Sequence, residues 1–564
     1  MISDLFLKSE IENPFKDQQA RNYSDDKIIN EFQPTKNFWG LFNSSHQIII
    51  GSRGSGKTAL LRMMRYSCLR KMNHSEAARH INSNDYLAIY VPTSLEAMKT
   101  IKKLTNYEQV ELFKFFFNVK MMQAFLYEFK EFLHDKYIGD LDLIEISLSK
   151  KISGIIFGEK SLKSFNEINF HIEVEYTKIL SNRTDVIHSY FFSNIGTTIG
   201  SILPHIFSEV QLTRPKILVC IDEAEWLTSN QMTVFNSSMR SATDIILKIA
   251  TLPYKYDTLS TGGMDDEPIQ FNEDFQILDI DMDCDSQEFY ILSNKIVSNK
   301  LMKCLIIQHE IRLEDAFATI GNSDYVDFYK NGFKNRAVDQ ETIEQLIVDQ
   351  SNRDKNQILG TNKTKKSIYR KLAPLYYIRE LKKLNSTGNN KAPFYCGKNS
   401  ILKISDGNPR NLLQIMQILF EEGRKNQLTP IVQHEALLSY CANIYATIEW
   451  FPTHGSDLFA LIKRIGETLQ NKVHGPQIKD IGKSFKINKS YPLNYELIKL
   501  AIGNLLIKDK SVTRLKIASS SREFLISNAL AAHFWIPMRN GDLSSVFSSS
   551  EDTQHQPRLF EGDL

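Results

Sequence analysis

His46-Gln-Ile-Ile-Ile-Gly51-Ser-Arg-Gly-Ser-Gly56-Lys57-Thr58 is the stretch whose reading decides the fold. Its apolar, β-branched half predicts a buried strand over 46–50, and its glycine-rich half predicts a tight turn. Ala59-Leu-Leu-Arg-Met-Met-Arg-Tyr-Ser-Cys68 follows with helical composition and no breaker. Strand, glycine-rich turn and helix together are the setting that a phosphate-binding loop requires. Gly51-x-x-x-x-Gly56-Lys57-Thr58 completes the Walker A spacing. Across Gly51, Ser52, Arg53, Gly54, Ser55 and Gly56 the backbone N–H groups can turn inward around phosphate oxygens. The helix amino terminus adds its positive dipole end. Lys57 is then expected at the β- and γ-phosphates, with the Thr58 hydroxyl on Mg2+.

Four further apolar runs lie downstream, at 86–91, 216–223, 245–250 and 275–280. Strands alternating with helices predict an α/β unit built on a parallel sheet covered on both faces. The gap between the second and third runs is long, and residues near 140–210 are expected to form an insertion. The aromatic 113–117 region and Phe191-Phe192 are expected in the core rather than as base-stacking platforms. Asp222 and Glu223 close the third run as a Walker B pair does. Asp222 is expected to bind Mg2+ through water, and Glu223 to orient and polarise the attacking water. Glu225 reads as a solvated acid at a helix start.

Composition limits the alternatives. A chain of 564 residues exceeds what one core organises and suggests about three or four domains. With 42% hydrophobic and 24% charged residues, and only 25 Gly and 16 Pro, it is neither collagen-like nor mostly disordered. Lys+Arg number 68 against 66 Asp+Glu, so no global charge draws the chain to nucleic acid or membrane, and any basic surface must be local. Six scattered cysteines without a C-x-x-C pair fit a reducing compartment and give no zinc site. No basic n-region precedes an apolar core at the amino terminus. The run 190–207 is too short and polar to span a bilayer, so no membrane partner and a cytoplasmic location are expected.

Beyond residue 286 the pattern is mostly helical, with charged stretches at 349–366 and 385–391 that read as exposed loops. Ser405-Asp-Gly-Asn-Pro-Arg410 leads into an amphipathic helix over 411–422. After Pro430, helices near 457–469 and 495–507 are followed by a strand pair around 512–517 and 523–527, an order that suggests a winged helix. The expected division is an amino-terminal segment 1–45, a P-loop domain 46–285, a helical lid 286–425, a winged-helix-like domain 432–540 and a loose tail 541–564.

Walker A, the Asp222-Glu223 pair, Gly407-Asn-Pro-Arg410 and the winged-helix-like unit occur in that order. The chain therefore resembles an AAA+ ATPase of the origin-recognition-complex type, over about residues 13–539. It is similar to the bacterial members, several of which belong to mobile or phage-defence gene clusters. The resemblance implies ATP and Mg2+ as ligands and Arg410 as sensor 2, the arginine that contacts the γ-phosphate and moves the lid. It puts sensor 1 at Thr251, where many such proteins carry Asn, and makes Arg240 the candidate for an arginine finger acting in trans. It also places the amino-terminal segment over the adenine. A homo-oligomer and a separate effector or partner protein are implied, in antiphage defence or DNA maintenance. In the last unit Lys499, Lys508, Lys510, Arg514, Lys516 and Arg522 outnumber Glu496, Asp509 and Glu523. That pattern fits either DNA phosphates or a solvated face on a protein–protein module. Two rival functions stay open: a non-hydrolysing nucleotide-gated scaffold, and an ATP-dependent DNA-binding regulator.

Overall fold

The computed structural model describes residues 6, 12–18, 20–93, 106–158, 161–181, 190–241, 244–262, 267–304, 306–317, 375, 378–379, 381–383, 385–386, 393–475, 481–487, 495–509, 514 and 523–546. Five strands form the central sheet: β1 (His46–Ile50), β2 (Tyr86–Pro92), β3 (Lys216–Asp222), β4 (Ile245–Thr251) and β5 (Phe275–Asp279). Their order is β2-β3-β4-β1-β5, and every pairing is parallel. Ile48, Ile49, Ile217, Val219, Leu247 and Ile249 are fully buried, as continuous apolar runs in a parallel sheet covered on both faces should be. Because the strands are parallel, the loops after β1, β3 and β4 emerge at one edge, where α/β sheets bind ligands. That geometry gathers residues 51–58, 222–225 and 251.

The connection from β2 to β3 carries helices Asn106–Lys136, Leu141–Phe157, Phe165–Ser181 and Thr197–Val210. Phe113, Phe115, Phe125, Phe129 and Phe191 are fully buried, so these aromatics are core, as expected. A helical layer follows β5, with Gln287–Lys303, Gly397–Ile404 and Pro409–Lys425 as its principal helices. The last of these starts on a sequence-encoded cap. The Asn408 side chain accepts from the N–H groups of Arg410 and Asn411, and Pro409 occupies the first turn, where its missing N–H costs nothing.

The carboxyl-terminal unit contains helices Pro430–Thr447, Gly455–His474, Tyr495–Gly503 and Asn528–His533. Its sheet has the order β7-β8-β6-β9, formed by β6 (Ile481–Ile487), β7 (Ile507–Asp509), β8 (Glu523–Ile526) and β9 (Asp542–Val546). β6 pairs in parallel with β9, and the other pairs are antiparallel.

Three expectations need correction here. The helix expected over 495–507 stops at Gly503, Leu505 turns with φ 57°, and Ile507 opens a strand. The unbroken apolar run 505–507 hides that switch, since periodicity cannot separate a short strand from a buried helix end. The hairpin therefore pairs β7 with β8, while 512–513 and 515–517 lie outside the described residues. The tail expected from 541 onward instead contributes β9, which seals Ser544 and Val546 against β6. Serine-rich composition misled because a strand needs only alternate positions to be buried. Residues 547–564 lie outside the described residues.

Among the described residues, the basic side chains expected to form a face on this unit are paired with carboxylates. Lys499 pairs with Asp257 and Glu496 at 3.2 and 3.0 Å, and Lys508 with Asp406 at 3.5 Å. Arg514 pairs with both Asp279 and Asp281 at 2.8 Å. Lys510, Lys516 and Arg522 lie outside the described residues. Among the described residues no helix is long and apolar enough to cross a membrane. All six cysteines are free thiols.

Candidate nucleotide site

The loop after β1 turns on two glycines in left-handed conformations, Gly54 with φ 87° and Gly56 with φ 100°. Lys57, the first residue of helix Lys57–Met64, is buried, and its Nζ donates to the carbonyls of Gly51 at 2.6 Å and Ser52 at 3.0 Å. Burial lowers the pKa of Lys57, while Glu225, Asp281 and Asp222 favour its charged form. Ser52 donates through its N–H and its hydroxyl to Asp281, at 2.9 and 2.7 Å. The Gly51 N–H donates to the carbonyl of Thr251, 3.3 Å away.

At the end of β3 Asp222 is almost fully buried. Its Oδ2 accepts from the Tyr90 hydroxyl at 3.0 Å and its Oδ1 from the Glu223 N–H at 2.9 Å. Glu223 adopts φ 60°, which turns the chain sharply out of the strand. Its carboxylate meets the Arg21 guanidinium at 3.3 Å. Partial burial raises the pKa of Glu223, and Arg21 opposes that rise.

Helix Pro409–Lys425 closes the other side. The Arg410 N–H donates to the Gly54 carbonyl at 3.4 Å, and Asn408 Nδ2 donates to the Arg53 carbonyl at 2.9 Å. A Cβ on Gly54 would stand 2.7 Å from both Arg410 Cβ and Asn408 Oδ1, so only glycine permits this approach. Arg410 itself is held where burial and the neighbouring Arg53 both lower its pKa. The amino-terminal segment completes the enclosure. Asn13 Nδ2 donates to the Gln417 carbonyl and Glu421, Phe15 packs on Phe420, and Arg62 donates to the carbonyl of Ala20.

The result is a cleft of about 470 Å3 whose lining combines two kinds of residue. Tyr23, Ile28, Phe32, Leu292, Ile296 and Leu413 supply apolar surface beside the Lys300–Glu31 pair, and Arg53 through Thr58, Asp222, Glu223, Glu225 and Arg410 supply polar and charged groups. Apolar surface suited to a base, with Lys57, Arg53, Arg410 and a helix amino terminus suited to phosphates, is what a nucleotide asks for. Ser55 Oγ, Glu225 Oε2 and Arg410 Nε, all from lining residues, are buried without a hydrogen-bond partner. So is Thr251 Oγ1 at the end of β4. Buried unpartnered polar atoms are uncommon, and a polyphosphate with its counter-ion supplies partners for donors and acceptors alike. Thr58 in the first helical turn and Asp222 at the end of β3 line the same cleft, a donor set of oxygens that suits Mg2+.

Of the residues singled out from sequence, Arg53, Gly54, Ser55, Gly56, Lys57, Thr58, Asp222, Glu223 and Arg410 therefore meet in one cleft. Gly51 and Ser52 lie behind it and serve Lys57 and Asp281. Thr251 is fully buried beside Gly51 rather than on the cleft wall. Arg240 stands apart, bonded to Glu267 at 3.0 Å and Asp274 at 3.4 Å. Sequence reading missed Arg21, Tyr23, Phe32 and Asp281, and it misjudged Glu225, which lines the cleft with one oxygen sealed from water. Asp281 had a readable signal, since it follows β5 at the same sheet edge. For Arg21, Tyr23 and Phe32 the resemblance pointed to their segment and to no single residue.

The parallel sheet with its glycine-rich loop after β1 and acidic end of β3 is the fold of an AAA+ ATPase. The ORC-CDC6-like family profile matches residues 13–545, and the chain belongs to that family. Among solved structures it is similar to the Walker-type ATPase PABY2304 of Pyrococcus abyssi. The identity is 10% and the TM-score 0.34, over 94% of this chain and 100% of that one. No curated protein matches by sequence.

Proposed function

We propose that the chain binds Mg·ATP in this cleft and hydrolyses it, using the cycle as a switch on assembly or partner contacts. The observation that carries the reading is the convergence of Lys57, Thr58, Asp222, Glu223 and Arg410 on one polar wall. Lys57 neutralises charge on the β- and γ-phosphates while the N–H groups at the helix start, from Gly56 to Thr58, hold their oxygens; those of Gly51, Ser52, Arg53 and Ser55 bond within the chain instead. Glu223 accepts a hydrogen bond from the attacking water and polarises it. Arg410 contacts the γ-phosphate from the lid, so the lid position follows the nucleotide. Thr58, through its hydroxyl, and Asp222 would hold the Mg2+ that accompanies ATP, and the ion would supply positive charge against the phosphates.

The switch reading includes self-association and a separate partner protein in the cytoplasm. Its setting in prokaryotic antiphage defence or DNA maintenance follows from the resemblance to bacterial members of the group. DNA binding through the carboxyl-terminal unit is the weaker branch, because Lys499, Lys508 and Arg514 are committed to carboxylates of the same chain. One observation favours a non-hydrolysing scaffold instead: the Glu223 carboxylate is held by Arg21.

Two measurements test these statements. Calorimetry should show Mg·ATP binding by the wild type and its loss in Lys57→Ala, and equal binding by both would remove the site. Steady-state phosphate release should fall strongly in Glu223→Gln while nucleotide binding persists. No release by the wild type would select the scaffold.

A further inference from the structure

The turn after β3 brings a third carboxylate back into the cleft. Glu223 has φ 60° and ψ 36°, a 3-10 turn over Ala224–Trp226 follows, and Ala224 packs into the core. Glu225 is thereby folded against the same wall as Lys57, Thr58 and Asp222. Its Oε2 is sealed from solvent and makes no hydrogen bond. An acid in that condition is costly unless something charged or hydrogen-bonding serves it.

Two ordinary roles do not fit. A solvated helix-start acid would keep both oxygens wet, and Oε2 is dry. A counter-ion hydrogen-bonded to Lys57 through that oxygen would give it a partner, yet Oε2 accepts nothing while two of the three Lys57 Nζ donors go to the carbonyls of Gly51 and Ser52. Glu225 lines the cleft together with Lys57, Thr58 and Asp222 and so borders the proposed place of the β- and γ-phosphates. A carboxylate there repels the phosphates unless a cation lies between them.

Asp222 already spends one bond from each oxygen, on Glu223 N–H and Tyr90 hydroxyl. Glu225 has the uncommitted oxygen. We propose that Glu225 is a further metal-facing carboxylate of the nucleotide site, sharing with Asp222 the water shell of the Mg2+ that accompanies ATP. The proposal rests on the nucleotide reading given above. Glu225 positions the ion's water shell and touches neither the attacking water nor the phosphates.

The test is ATP binding measured calorimetrically with Mg2+ and with EDTA, on wild type, Glu225→Gln and Lys57→Ala. For the wild type, Mg2+ should strengthen ATP binding. In Glu225→Gln that strengthening should shrink by about tenfold or more, the scale for losing an outer-shell partner of a metal. ATP binding in EDTA should be unchanged or tighter, because a repelling charge has gone. Glu225→Asp, which keeps the charge on a shorter stem, should fall between the two and serves where Glu225→Gln fails to fold. Unaltered Mg2+ dependence in both variants would overturn the proposal. So would a parallel loss with and without Mg2+, which marks a structural role. If Lys57→Ala binds ATP like the wild type, the nucleotide site itself falls, and that result is distinct from either outcome at Glu225.

Discussion

Arg514 and Ser52, from the last and the first parts of the chain, share one carboxylate. Asp281 lies 2.8 Å from the Arg514 guanidinium and accepts from the Ser52 N–H and hydroxyl at 2.9 and 2.7 Å. Two backbone bonds reinforce the junction, from Arg53 N–H to the Gly503 carbonyl and from Tyr254 N–H to the Arg514 carbonyl, each 2.9 Å. The phosphate-binding loop is thus tied to the carboxyl-terminal unit without passing through the lid.

That tie makes a stability prediction. Arg514 and Asp281 are both largely shielded from water, so their pairing is less screened than a surface bridge. Arg514→Ala leaves Asp279 and Asp281 side by side without their cation. It should destabilise the folded chain by ~2 kcal/mol, the scale for a charge-assisted hydrogen bond. A denaturant titration that gave the same midpoint for variant and wild type would show that the junction does not hold the units together.

A pH prediction follows from Arg21. Burial raises the pKa of Glu223 and Arg21 lowers it. Only the ionised carboxylate can take a proton from water, so hydrolysis should decline as pH falls through that pKa. Arg21→Ala removes the lowering influence, so the acid limb of phosphate release should move to higher pH. The shift should be modest, since the Arg21 side chain is mostly exposed and solvent screens the pair. Superimposable limbs in the two proteins would mean that Arg21 does not govern Glu223.

The contrast between these residues shows what the sequence could reveal. Gly51 to Thr58 and Asp222-Glu223 were legible because each motif is contiguous and its strand context is local. Arg410 was legible through the family resemblance, which rests on the contiguous motif Gly407-Asn-Pro-Arg410 at a helix start. Arg21 and Glu223 are 202 residues apart, and no periodicity relates them. Glu225 was misread for another reason: composition cannot show the left-handed turn at Glu223 that redirects it inward. Likewise Lys499, Lys508 and Arg514 looked like a basic face only because their acidic partners lie in distant segments.

The helical connection between β2 and β3 carries its own titratable group. Glu128 is buried and accepts from the Ser67 N–H and hydroxyl at 2.8 and 2.9 Å, with Arg65 3.9 Å away. Burial pushes its pKa up from 4.5 to about 7. The folded chain therefore holds this proton more tightly than the unfolded chain, so stability is greatest below pH 4.5 for this group and falls as pH rises toward 7. Glu128→Gln cannot ionise and should lack that decline, so the two stability profiles should diverge by up to ~3 kcal/mol between those limits. Thermal denaturation across that range checks it, and parallel profiles would refute a buried, proton-holding Glu128.

The remaining prediction concerns how the lid reports the nucleotide. Asp406 and Arg410 sit four positions apart and face opposite ways. The Asp406 carboxylate accepts from the N–H of Asn528 at 3.0 and 3.1 Å and pairs with Lys508, all in the carboxyl-terminal unit. Arg410 lines the cleft with Lys57 and Thr58, and its Nε has no partner. A γ-phosphate offers that guanidinium a charge-assisted contact which ADP lacks, and only such a difference can bias the lid between two positions. Arg410→Ala should therefore retain much of its ADP binding and lose its preference for ATP by about tenfold, the effect of ~1.4 kcal/mol. Asp406→Asn should keep the ATP preference, because it leaves the phosphate contact intact. It should instead loosen the carboxyl-terminal unit, read as faster proteolysis there in both nucleotide states. Parallel ATP and ADP titrations of wild type and both variants separate the roles. An unchanged ATP-to-ADP ratio in Arg410→Ala would reduce Gly407-Asn-Pro-Arg410 to a helix start, and the lid would carry no signal.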